Sequence, residues 1–85
     1  MANDADLGRV LRAIQNGDDA NELADNAQLA SKLGLTLVVV ASILEDAKER
    51  SLIWGQRSGD KPGPWFKELE LTVQGRRFLV GQDTD

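Results

Sequence analysis

Residues 33–53 read LGLTLVVVASILEDAKERSLI, and the conformation of residues 37–42 within them decides the fold. The run LTLVVVAS is rich in β-branched residues, which favour strands, and a short apolar run cannot be assigned by its period alone. The residues that follow resolve it. In ILEDAKER, Ile43, Leu44 and Ala47 recur at helical spacing, while Glu45 with Lys48 and Asp46 with Arg50 place opposite charges three and four residues apart, where they support a helix. Thr36 is the natural N-cap. The stretch therefore reads as a helix from Thr36 to about Arg50, in preference to a buried strand.

Working outward, Asn26 looks like the N-cap of a preceding helix in which Ala27, Ala30 and Leu33 form a narrow small-residue face before Gly34 closes it. Further upstream, Leu7, Val10, Leu11 and Ile14 make the stripe of an amphipathic helix, with Asp4 or Asp6 to cap its start and Asn16-Gly17 to stop it. The acidic run DDANELADN then reads as a connector. Downstream of Ser51 the period changes to two. SLIWGQR and WFKELELT read as the arms of a β-hairpin around the Gly- and Pro-rich SGDKPGP. In the second arm Lys67, Leu69 and Leu71 share one face and Phe66, Glu68 and Glu70 the other, so the leucines are expected to point inward. Thr72 caps a last helix, VQGRRFLV, whose Phe78 and Leu79 fold back onto a core expected to hold Leu11, Ile14, Leu33, Leu44, Leu52, Leu71 and Leu79.

The chain has 85 residues, enough for one domain, which is expected to span residues 7–80, with an acidic extension at 1–6 and a disordered acidic tail at 81–85. It has no Cys and no His, which removes disulfides, thiolate metal sites and Cys–His or Ser–His–Asp catalysis. No enzyme activity, cofactor, metal or small-molecule substrate is expected. The longest apolar run, LGLTLVVVASIL, covers 12 residues, short of the roughly 20 that span a bilayer. The N-terminus lacks the basic region of a secretory signal, and a cytoplasmic protein without a membrane partner is the expectation. The net charge of −4 argues against strong non-specific affinity for nucleic acid. That charge is uneven: residues 1–25 hold two Arg and six acids, whereas residues 51–80 hold five bases and three acids.

Three motifs carry a resemblance. LASKLGLT is similar to the LA-x-x-LG-[LIV]-[ST] that forms the second helix and turn of winged helix-turn-helix domains. LEDAKERSLI resembles their L-x-x-L-x-x-x-G-L-I, with Ala47 for the usual large apolar residue and Ser51 for Gly. ELTVQGRRFL is similar to the LT-x-x-G-x-x-x-L that closes many small MarR-, PadR- and phage-type members. The resemblance covers residues 7–80. It implies an α+β fold, a winged helix-turn-helix with a three-helix core, a two-stranded hairpin wing and a short C-terminal helix. It also implies a bacterial or phage protein that binds duplex DNA in transcription regulation, although a minority of such domains bind proteins instead.

The residues divide between these two uses. With Val40, Leu44 and Ala47 inward, as the family pattern implies, the third helix presents Val38, Val39, Ser42, Glu45, Asp46 and Glu49. Base readout needs bidentate donors such as Arg, Asn or Gln, and only Ser42 is available there. The alternative for the valines is burial against the first helix or connector. Candidate DNA contacts are therefore Thr36, Ser42, the helix-2 cation Lys32 and the wing cations Arg57, Lys61 and Lys67, with Arg76 and Arg77 on the closing helix. The expected partner is duplex DNA, bound weakly and with strong salt dependence. The alternative is an adaptor that docks a protein or a second copy of itself through Val38 and Val39 or through Trp65 in the wing.

Overall fold

The computed structural model describes residues 4–20, 22–59 and 64–83. Its elements run α1 (Asp4–Asp19), α2 (Asn26–Leu33), α3 (Leu37–Glu49), β1 (Ile53–Gly59), β2 (Trp65–Leu71) and α4 (Val73–Asp83). Three helices followed by an antiparallel hairpin and a closing helix make an α+β fold with a winged helix-turn-helix layout. The strand alternative for residues 37–42 is excluded. The Thr36 hydroxyl accepts from the Val39 N–H at 3.2 Å, capping α3. Gly34 stops α2 in the left-handed region at φ 68°, and the Leu35 N–H donates back to the Ala30 carbonyl at 3.0 Å. The turn bends α2 against α3 by 116°, within the range of helix-turn-helix units.

The end of α3 explains a deviation noted in the sequence. Ser51 and Leu52 donate to the carbonyls of Lys48 and Ala47 at 3.1 and 2.9 Å, a Schellman closure, and Ser51 takes φ 60° to make it. That is the position where the resembling pattern carries Gly. The motif after β2 has an equally local cause. The Thr72 hydroxyl accepts from the Gly75 N–H at 3.0 Å, capping α4, and donates to the Ser51 carbonyl at 2.7 Å. Thr72 N–H donates to Leu52 carbonyl at 3.1 Å, so one residue joins the start of α4 to the turn after α3. A side chain at Gly75 would run into the Leu52 carbonyl, so the helix seats against that turn only with glycine there.

Several expectations need correction. The cap of α2 is Asp25, whose carboxylate accepts from the Gln28 N–H at 2.9 Å, and Asn26 is the first helical residue. Asn26 is fully buried: its amide donates to the Pro64 carbonyl at 2.9 Å and its oxygen accepts from the Phe66 N–H at 2.8 Å. The buried residues of α2 are Asn26, Leu29 and Ala30, while Ala27 is exposed and Leu33 only half-buried. The first helix does not stop at Asn16-Gly17 but continues to Asp19, after which Glu22 N–H folds back to the Gly17 carbonyl at 2.7 Å. It begins at Asp4, so part of the supposed extension is helical, and α4 runs on to Asp83, so part of the supposed tail is too.

The faces of β2 also differ from strict alternation. Phe66 is buried and Lys67 exposed, while Leu69 and Leu71 are buried. The cause is a bulge: Trp54 pairs with Glu70 but Gln56 pairs with Lys67, so β2 carries one extra residue, and Glu68 adopts φ 55° within it. The inserted residue reverses the alternation and lets Phe66 and Leu69 both face the helices. Leu69 N–H also donates to the Ala24 carbonyl at 3.1 Å, which adds the connector as a single-residue third strand. Around this sheet Leu7, Val10, Leu11, Ile14, Leu29, Val40, Ile43, Leu44, Leu52, Ile53 and Leu79 form one core.

Replacing Asn26 with Ala strands a buried N–H and a carbonyl, and is expected to cost about 2–3 kcal/mol in urea denaturation. Ser51→Gly, by contrast, relieves a left-handed non-glycine residue and is expected to stabilise by about 0.5–1 kcal/mol in the same assay.

Candidate functional site

The outer surface of α3 is the part of the fold that winged helices usually present, and here it is apolar at one end and acidic at the other. Three consecutive valines separate by rotation: Val38 is 61% exposed, Val39 40% and Val40 0%. Leu37, just after the cap, is 37% exposed, so the first turn of α3 shows three large apolar side chains to solvent. The reading in which Val38 and Val39 pack on α1 or the connector is therefore excluded. Ser42, Glu45, Lys48 and Glu49 continue the exposed face, and Asp46 is half-buried in an ion pair with Arg50 at 3.5 Å.

The described candidate DNA-contacting residues do not form one surface. Thr36 is exposed but its hydroxyl is engaged as the cap of α3. Lys32 lines a groove between α1 and α2 together with Arg9 and Arg12. Arg57 lies on the inner face of the hairpin, across from Phe66, in a groove it shares with Glu45, Lys48 and Glu49 of α3. Lys67, across from Gln56, is on the opposite face of the sheet. Lys61 lies outside the described residues. Other cations serve the fold: Arg76 pairs with Asp18 of α1 at 3.1 Å, the Arg50 guanidinium lies 5.2 Å from the centre of the Phe78 ring, and Arg9 donates to the Leu33 carbonyl at 3.1 Å. Arg77 remains exposed.

Trp65 is half-buried beside Gly59 at the base of the wing tip. The prominent aromatic is one the sequence reading passed over. Trp54 is 62% exposed, because Ile53 before it faces the core and alternation turns the indole outward. The signal was present in that alternation, but a tryptophan beside an isoleucine invites assignment to the core.

Among the described residues no His, Cys, Asp or Glu group is placed to hold a metal ion, and no single helix is long and apolar enough to cross a membrane. No known protein family, curated protein or solved structure matches the chain. The site must be judged on its own residues.

The valines give a direct stability comparison. Val38→Asp is expected to change unfolding free energy by no more than about 0.5 kcal/mol, as at other exposed positions. Val40→Asp places an unpaired carboxylate in the core and is expected to abolish cooperative thermal unfolding.

Proposed function

We propose that this domain is a protein-interaction module of winged-helix layout that docks a partner through the first turns of α3. The observation that carries the reading is the exposed set Leu37, Val38 and Val39 at the place where a DNA-reading helix needs donors. Exposed apolar side chains grouped on one rigid element, rimmed by charge, are what a protein interface requires. Glu45 and Glu49 on the same helix favour a partner whose apolar ridge is flanked by basic residues, and they repel phosphate. The cysteine-free composition supports a cytoplasmic setting.

The layout itself supports a second reading, a DNA-associated regulator that touches the phosphate backbone through Lys32, Arg57, Lys61 and Lys67, with Thr36 and Ser42 at the groove. Its weakness is that Arg57 shares its groove with Glu45 and Glu49.

The two readings part in one experiment. A photoreactive amino acid at Val38, activated in the expressing cell, is expected to give adducts destroyed by protease and resistant to nuclease, and to lose them when Val39 is changed to Asp. Adducts destroyed by nuclease would overturn the protein reading. So would a duplex-DNA titration in which α3 and wing amide signals shift, with affinity falling by a log–log salt slope of about −0.9 per phosphate contacted.

A further inference from the structure

The hairpin has a second exposed surface on the face turned away from the helices. A shallow groove there is lined by Leu23, Trp54, Gly55, Gln56, Glu68 and Glu70. Trp54 stands directly across from Glu70 in the strand register, and Glu68 occupies the bulge two residues before it. Neither carboxylate forms an ion pair with a described residue. The lining contains no cation: Lys67 stands one pair further along the sheet, and Lys48 borders the other side of the indole beside Val73.

An open indole face next to two unpaired carboxylates is complementary to a flat or compact organic cation. The ring attracts a guanidinium or ammonium through its quadrupole, and the carboxylates accept its N–H donors. Leu23 on one side and Val73 on the other, 39% and 66% exposed, offer apolar surface to the aliphatic stem of such a side chain. We propose that this outer face binds an arginine- or lysine-bearing segment of a partner protein, with Trp54 stacking on the cation and Glu68 and Glu70 pairing with it. The site is separate from the first turn of α3, and its argument does not depend on how that turn is used.

Glu68 and Glu70 share the outer face with Leu69 turned into the core between them, as alternation requires, and the bulge at Glu68, φ 55°, turns Lys67 outward and Phe66 inward beyond them.

The test is a titration of the isotope-labelled domain, followed on backbone amide and indole N–H signals. The probe is a blocked Gly-Arg-Gly-Arg-Gly peptide, and the control is its counterpart with citrulline in place of arginine, which keeps the shape and removes the charge. The arginine peptide is expected to move the Trp54 indole and the Glu68 and Glu70 amides, and the citrulline peptide to leave them in place. Trp54→Leu is expected to weaken binding by at least about fivefold, with Glu68→Gln combined with Glu70→Gln giving a comparable loss should the tryptophan variant fail to fold. Val39→Asp should leave the titration unchanged, which separates this site from the α3 reading. Equal shifts with both peptides, shifts that survive Trp54→Leu, or no shift at all would overturn the proposal. So would movement of the indole signal with protein concentration alone, which would assign the face to a second copy of the chain.

Discussion

A buried carboxamide ties the start of the second wing strand to the helices. Asn26, at the first position of α2, donates to Pro64 and accepts from Phe66, so both ends of its amide are spent on the backbone entering β2. A buried amide without partners costs several kcal/mol, so the strand must begin where Asn26 can reach it. The bond from Leu69 to Ala24 continues the attachment one step along the strand. With β2 fixed over the α1–α2 connector, Phe66, Leu69 and Leu71 complete the core. The rest of the arrangement follows from that placement: the outer sheet face carries Trp54 and Glu70, and the first turn of α3 remains uncovered.

That uncovered turn is what sets the chemistry of the domain. In a helix aimed at a DNA groove the exposed residues near the N-terminus read base edges, and the surrounding surface supplies positive potential. Here the exposed residues are leucine and valine, and carboxylates follow them along the helix. Phosphates arriving at Glu45 and Glu49 would meet like charge well within the roughly 8 Å screening length of physiological salt. The described cations are dispersed, several of them bound to acids or carbonyls within the fold. Among the described residues the cations form no continuous positive face, which supports the proposed protein docking over duplex binding.

Local signals made most of the architecture legible. Thr36, Gly34 and Thr72 each act within a few residues of themselves, and each was found where the sequence placed it. Even Ser51, which departs from the expected glycine, adopts the backbone that glycine would have taken. What escaped the sequence depends on distant partners. Asn26 looked like a cap because its true partners are 38 and 40 residues away, and the adjacent Asp25 caps just as well. The bulge at Glu68 reversed the faces of Phe66 and Lys67 because nothing in WFKELEL marks an extra residue; a glycine in its place would have announced it. The stripe Val40, Ile43, Leu44 and Ala47 turns Val40 inward, but periodicity alone does not say whether a neighbouring element covers Val38 and Val39. For the candidate sites, residue types were readable and grouping was not: Lys32 of the second helix and Arg57 of the wing, both candidate backbone contacts, line different grooves.

Those three valines provide an internal ruler for the claim on which the functional reading rests. A dilute sample with labelled methyl groups, exposed to a soluble paramagnetic agent, reports the approach of solvent to each side chain independently of any partner. If α3 presents its first turn as described, the Val38 methyls broaden most and the Val39 methyls next, while those of Val40 are spared. Equal protection of all three would contradict the account, because α3 would then have no free apolar surface with which to dock.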